Sequence, residues 1–472
     1  MRAILGSGIS SIMLARIMLN RGIKGSEILI LENSSQYGGA FGQLIHDADT
    51  KFDIGMHTIQ LTSDSEIDEI FLEIVGKKNW SRYTPPSHDL SGTIIGRKIF
   101  ENGPYFDLEF FDPVERAVKA RKLRQHIEKL KVKKNVIELK RTKTSNVNAK
   151  SYLKERFGSE LSESTYISAL IKRYGINAED LSVMATKLTP MSRIFANFEF
   201  EEEELKEDSI IRDIIAWHNQ RSLPAEYSTN KDVYYPNDGG IKVFIDEMLK
   251  NLSSHGVTLL RNSKILNLQI IKNRIVSMVI ESDNQVSHQD VNDLCWTGNL
   301  SNLIKIMGIS YPVGKTINPM QTVVATLKST KEKFRETDCM YHFAYFNAHG
   351  LYRVNNYSAY KHMRQHSLDS CLSLEYIISR NKKLEKKNMV QDLCDIGILT
   401  APVLEDEIVL HELVGGHPYP SLENELIERQ QHNIIEDQRI QNLHLFGTSM
   451  SNSRFFQKDV LLHLKQLRLI NE

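Results

Sequence analysis

The sequence predicts an α/β fold: a Rossmann-type domain, with a parallel sheet between helices, interrupted by a mainly helical insertion and a second, mixed-sheet substrate domain. Three observations predict it. The chain opens on a strand, a glycine turn and a helix, "RAILGSGISSIMLARIMLN". From about 150 to 225 the apolar residues fall three and four apart, the period of a helix face. The end, "NLHLFGTSMSNSRFFQKDVLLHLKQL", reads again as strand, glycine turn and helix.

The opening unit carries the most chemistry. Gly6 and Gly8 follow the strand residues Ala3-Ile4-Leu5, and a helical pattern begins at once. Gly6 permits the tight turn, and Gly8 lets the backbone approach a pyrophosphate. The helix start beyond them offers unpaired N–H groups and a positive dipole end to phosphate charge. Ser11 stands where a third glycine is usual, a loss expected to cost packing more than binding. Glu32 ends the second strand, "EILILE", 24 residues beyond Gly8, the distance at which a carboxylate accepts from ribose hydroxyls. Strand, turn, helix, strand and acid in register predict dinucleotide binding.

Composition narrows the rest. At 472 residues the chain is long enough for two or three domains, or for one with a large insertion. Lys+Arg and Asp+Glu balance at 59 each, so no global field points to nucleic acid or an anionic membrane. Cys295, Cys339, Cys371 and Cys394 are scattered without metal-ligand spacing, which predicts free thiols in a reducing compartment and no metal site. No apolar run approaches the roughly 18 residues of a spanning helix. The strand-like start leaves no room for a signal peptide, so a cytoplasmic protein is expected.

Further along, "VERAVKARKLRQHIEKLKVKKNVIELKRTK" (114–143) holds twelve Lys or Arg against three Glu and is expected to be a solvated helix face. The acidic run "EFEEEELKED" offsets it and is expected in a loop or on a helix edge. "VTLLRNSKILNLQIIKNRIVSMVIES" reads as short strands joined by tight turns.

Which dinucleotide binds is read from motifs downstream. "LENSSQYGGAFGQ" resembles the motif that follows the ribose-binding acid in FAD enzymes of the amine oxidase and protoporphyrinogen oxidase type, a structural group that includes UDP-galactopyranose mutase. "FDIGMHTIQLTSDSEIDEIF", the helical "SYLKERFGSELSESTYISALIKRYGINAEDLSV", "YYPNDGGIKVFIDEMLKNLSSHGVTLLRNSKILNL" and the closing motif resemble that group's further elements, in the same order. The resemblance implies FAD rather than NAD. It implies FAD-binding segments at 1–75, 231–310 and 426–472, a mainly helical insertion at 76–230 and substrate-domain strands at 311–425. It puts Gly6, Gly8, Ile9, Ser10, Ser11, Glu32, Asn33, Gly38, Gly39, Ala40, His57, Gly447, Thr448, Asp459 and Val460 at the cofactor.

His57, in "DIGMH", has two readings: a hydrogen-bond donor or proton shuttle at the flavin, or a residue that fixes a loop. Asp53 is read as a cap, and Asp459 as the N-cap of "VLLHL". Arg353 and Arg193 are candidate clamps for a substrate diphosphate or carboxylate, each weighed against a structural ion pair. Tyr419, in "GGHPYP", matches a tyrosine-proline segment of the mutase-like proteins and is weighed against simple packing. The closing motif departs from the mutase pattern. Thr448 follows Gly447 where the mutase has arginine, and Asn452, Phe455 and Phe456 lie near its tyrosine positions. Arg454 is a candidate displaced charge.

The resemblance implies an FAD-dependent oxidoreductase acting on a small polar, sugar-related substrate by hydride transfer to or from flavin N5. The alternatives are a mutase-like flavoenzyme isomerising a nucleotide sugar for surface-polysaccharide synthesis, and a non-catalytic binding protein of the GDP-dissociation-inhibitor type. Retention of Gly6, Gly8, Glu32 and the Gly38-Gly39 pair counts against the last. The expected partner is a small molecule, with no nucleic acid and no integral membrane segment; a homodimer is left open.

Overall fold

The opening periodicity is realised as β1 (Arg2–Leu5), α1 (Ile9–Asn20) and β2 (Ile28–Leu31). β1 and β2 pair in parallel, from Arg2 opposite Ile28 to Leu5 opposite Leu31. All four residues of β2 are buried, as expected of a parallel strand covered on both faces. α1 buries Ile12, Met13, Leu14, Ala15, Ile17 and Met18, so its apolar surface extends well beyond one stripe.

The computed structural model describes residues 1–84, 90–132, 147–196, 198–219, 232–310, 314, 316–346, 349–360, 369–413, 418–450 and 457–467. The chain divides into two compact units. The first comprises Met1–Tyr83, Asp232–Thr316 and Asn424–Glu472; the second comprises Thr84–Lys231 and Ile317–Glu423.

In the first unit a five-stranded sheet runs Thr258–Leu260, β2, β1, Asp293–Trp296, Leu443–Leu445. Every pairing in it is parallel. Three separate stretches of sequence therefore build one sheet. The helices Ser65–Val75 and Lys242–Ser254 meet through Phe71 and Phe244, stacked at 4.7 Å. A three-stranded antiparallel sheet follows the order Ser263–Ile271, Arg274–Ser282, Gln285–Asp290. Its turns are tight: Lys272-Asn273 and Asp283-Asn284 all have positive φ, from 47° to 65°, as two-residue hairpins require. Two of these strands reach nine residues, longer than the short strands expected.

The second unit centres on a seven-stranded mixed sheet in the order Ile408–Leu413, Met320–Thr330, Asp369–Ser379, Leu351–Asn356, Tyr341–Tyr345, Ser91–Ile95, Lys98–Phe100. Only the pairing of Tyr341–Tyr345 with Ser91–Ile95 is parallel. Adjacent residues point to opposite faces. Ile94, Ala344 and Tyr376 join a core with Met389, Leu393 and Ile396 of the helix Lys386–Ile396. Ile95, Tyr345 and Ile377 join a core with Leu123, Ile127, Leu153, Phe157 and Leu170 of the helical layer.

The basic and acidic runs meet within this unit. The helix Pro113–Val132 buries Lys119, Ala120, Leu123 and Ile127. The acidic run forms the helix Glu202–Glu207. Arg124 donates to Glu204 at 2.7 Å and lies 4.4 Å above the Phe200 ring, and Lys131 pairs with Asp208 at 2.9 Å. The rest of the basic stretch, 133–143, lies outside the described residues.

Candidate functional site

Three glycine turns of the first unit converge on the start of α1. Gly6 has φ +85°, the left-handed region that the turn after β1 needs, and a Cβ there would lie 2.8 Å from Thr297 Oγ1. Its N–H donates to Leu31 O at 2.7 Å, tying the turn to β2. Gly8 is the N-cap of α1, and a Cβ on it would meet no atom within 4 Å. The second turn leads into Gly39–Phe41, where a Cβ on Gly39 would sit 3.5 Å from Gly8 Cα. The third is Gly447, at φ +58°, whose Cβ would fall 2.8 Å from Ser10 Oγ. Ser10 thus lies against the closing motif, far along the chain.

The start of α1 suits an anion. No side chain caps it and no acidic residue lies in its first turn. Its first N–H groups and dipole therefore keep their attraction for negative charge. Ser11 is buried, and its hydroxyl contacts Leu5 O at 3.4 Å, while Thr297 Oγ1 donates to the same carbonyl at 2.6 Å. The position accepts a serine because its Cβ is small and its hydroxyl faces the last carbonyl of β1.

Glu32 follows β2 and is held on both oxygens. Oε2 accepts from Ser7 N at 2.9 Å and from Ser7 Oγ at 2.6 Å; Oε1 accepts from Ser34 N at 2.8 Å. Asn33 and Ala40 are exposed beside this region. Tyr37 lies near both Glu32 and Arg261: burial raises its pKa, the Arg261 charge opposes the rise and the Glu32 charge adds to it.

His57 is fixed rather than loose. Its Nε2 lies 2.7 Å from Ile54 O, and its ring stacks on Phe41 at 4.6 Å. Asp53 is a cap, as read, but of a distant helix. Its Oδ1 accepts from Ile241 N at 3.1 Å, at the head of Lys242–Ser254, and its Oδ2 accepts from Tyr235. A Cβ on Gly240 would reach within 2.6 Å of Asp53 Oδ1, which is why a glycine pair precedes that helix.

Asp459 corrects the sequence reading. The last helix spans Gln457–Leu464, so Asp459 lies inside its first turn and is not the N-cap. An acid there still opposes the helix dipole favourably. Val460 sits on the same helix. The Thr448 side chain and Asn452, Arg454, Phe455 and Phe456 lie outside the described residues.

The remaining candidates belong to the second unit. Arg353, on Leu351–Asn356, donates from Nε and an Nη to Glu375 Oε1 at 2.8 and 2.6 Å. Both side chains are largely buried, at 17% and 10% exposure, so the guanidinium is committed to an ion pair. The Arg193 carbonyl accepts from the Tyr166 hydroxyl, which itself accepts from Phe106 N at 2.9 Å. Tyr419 packs edge-on to Tyr174 at 6.0 Å.

No protein-family model matches the chain, and no curated protein matches its sequence. Solved structures do. A reduced UDP-galactopyranose mutase aligns over 99% of this chain and 94% of its own, with TM-score 0.69 at 14% identity. The fold is shared with UDP-galactopyranose mutase. A candidate protoporphyrinogen oxidase from Exiguobacterium sp. 255-15 aligns over 99% of this chain and 97% of its own, with TM-score 0.62 at 12% identity. A putrescine oxidase redesigned at its cofactor site gives 0.57 at 12% identity, over 99% of this chain and 97% of its own. Mutase and oxidases are the fold relatives that the motif order implied.

Among the described residues, no group of three or more His, Cys, Asp or Glu side chains is placed to hold a metal, and no helix is long and apolar enough to cross a membrane. Sequence reasoning missed Ser7, Thr297 and Arg261. Ser7 lies inside the glycine motif and could have been noticed there; Thr297 reaches the turn, and the Arg261 charge reaches Tyr37, only through the fold.

Proposed function

We propose that the protein binds FAD and is an FAD-dependent oxidoreductase acting on a small polar, sugar-related substrate. The observation that carries the reading is the convergence of Gly6–Gly8, Gly38–Gly39 and Gly447 on one uncapped helix start. That cradle fits a pyrophosphate: the backbone is bare at Gly8, and a substituent there would project into open space. Ile9 and Ser10 would present N–H groups to the phosphates, the Ser11 N–H being donated to Gly8 O at 3.0 Å, and Glu32 Oε1 would accept from the adenosine ribose. Gly38, Gly39 and Ala40 would pass along the cofactor, with Gly447 and the first turn of the last helix at its far end. When bound, FAD supplies the hydride or electron chemistry; the protein supplies position and exclusion of water. His57, braced by Ile54 O and Phe41, would hold the "DIGMH" loop in one shape.

The similarity to UDP-galactopyranose mutase supports a second reading, isomerisation of a nucleotide sugar without net redox change. The commitment of Arg353 to Glu375 removes one candidate diphosphate clamp and weighs against it. Purified protein is expected to be yellow with a flavin spectrum; protein that stays colourless and cannot be reconstituted overturns both enzymatic readings and favours the non-catalytic one. Anaerobic bleaching by substrate supports the oxidoreductase. Turnover only after dithionite reduction, to products isomeric with the substrate, supports the mutase.

A further inference from the structure

The residue between the two glycines of the first turn has an unusual position. Ser7 is fully buried, yet its hydroxyl makes two hydrogen bonds to separate segments. It donates to Glu32 Oε2 at 2.6 Å and accepts from Gly38 N at 3.1 Å. A hydroxyl has one donor and two acceptor sites, so its donor is used and one acceptor is filled. The Ser7 N–H donates to the same carboxylate oxygen at 2.9 Å.

This geometry divides the labour of the Glu32 carboxylate. Each carboxylate oxygen accepts about two hydrogen bonds. Oε2 has both from Ser7, while Oε1 has one, from Ser34 N at 2.8 Å, and keeps one site open. Two donors from one residue also fix the side-chain rotamer of Glu32. The same hydroxyl anchors Gly38, whose φ of +114° aims the next turn so that Gly39 faces Gly8. Alanine or glycine at position 7 would keep the backbone donor and lose both hydroxyl bonds.

We propose that Ser7 is a positioning residue for the dinucleotide: its hydroxyl links Glu32 to the Gly38 turn, so that both are in place before the ligand arrives and Oε1 alone is left to accept from the ribose. The inference rests on the FAD reading. Its physical basis is preorganisation, since a carboxylate and loop already ordered lose less freedom on binding.

A double-mutant cycle on the apo-protein tests it, with FAD as the probe and binding read by flavin fluorescence. Ser7→Ala is expected to weaken FAD binding roughly tenfold, the range of one hydrogen bond to a charged group. Ser7→Cys, which keeps the volume but donates weakly, should behave alike and decides the matter if the alanine variant does not fold. In a Glu32→Ala background the same Ser7 substitution should cost only about threefold, because the carboxylate is gone and the bond from Gly38 N is all that is lost. Equal losses in both backgrounds, or wild-type affinity in both Ser7 variants, overturn the relay while leaving FAD binding intact. A wild-type protein that takes no FAD overturns the FAD reading itself, and the relay with it.

Discussion

Asp53 and Tyr235 share a buried hydrogen bond of 2.6 Å across 182 residues of sequence. The Tyr235 hydroxyl donates to Oδ2, and Ile241 N donates to Oδ1. Together they join the strand before His57 to the helix that follows the Gly239-Gly240 pair.

Burial of the Asp53 carboxyl makes stability depend on pH. Burial pushes the Asp53 carboxyl from 3.8 up to about 7, against the opposing hydrogen bonds from Tyr235 and Ile241. In the folded protein the group binds a proton over a range where the unfolded chain has released it. Its contribution is therefore full below about pH 4 and is lost as pH rises through about 7, at a slope of at most about 1.4 kcal/mol per pH unit. Urea unfolding of wild type and Asp53→Asn between pH 4 and 8 checks this: the variant should lack that component of the slope.

Gly6 and Gly8 should separate folding from binding. Gly6→Ala must hold a Cβ at φ +85° and 2.8 Å from Thr297 Oγ1, and is expected to cost about 1–3 kcal/mol. Gly8→Ala has no such conflict and should change stability by less than about 1 kcal/mol. It should nonetheless weaken FAD binding, because its methyl occupies the approach to the turn. Apo-protein melting curves and FAD titrations of both variants test the pair; equal affinity in Gly8→Ala and wild type would contradict the cradle.

The Arg353–Glu375 pair should behave as a buried ion pair rather than as a substrate clamp. Arg353→Leu leaves the Glu375 charge without its guanidinium and is expected to destabilise by about 3 kcal/mol. Arg353→Leu with Glu375→Leu should recover most of that loss. Chemical denaturation of wild type and the two variants decides between the roles: an arginine serving mainly the substrate would lower activity while sparing stability.

The contact between the basic and acidic runs should matter less. The Arg124 hydrogen bond holds the Glu204 carboxyl down from 4.5 to about 2, so its contribution is present above pH 4.5 and is lost as pH falls through 2. Both side chains are about a third exposed, at 31% and 32%, so solvent screens the pair. Glu204→Gln is expected to cost no more than about 1 kcal/mol, with the difference shrinking in 1 M salt, as thermal melts would show.

What was legible in sequence follows from distance along the chain. The β1–α1–β2 unit, the Glu32 acid and the hairpin turn at Lys272-Asn273 are written in local periodicity and turn chemistry, which a short segment carries by itself. The roles of single side chains were less so. Asp53 could be read as a cap from its residue type, but the N–H it accepts from, on Ile241 at the head of the helix, lies 188 residues later. Arg353 offered two readings, because sequence does not show that Glu375 lies opposite it on the next strand.

The sequence by itself determined that the chain builds a strand, glycine turn, helix and second strand closed by an acid, because strand period, helix period and the reach of Glu32 are fixed within about thirty residues. Only the tertiary structure decided how that unit is finished. It placed Thr297 against Gly6, Gly447 against Ser10, and Ser7 between Glu32 and Gly38. Such contacts depend on which buried donors and acceptors meet once the parallel sheet has brought three distant stretches side by side, and a buried polar group must find its partner wherever the fold supplies one.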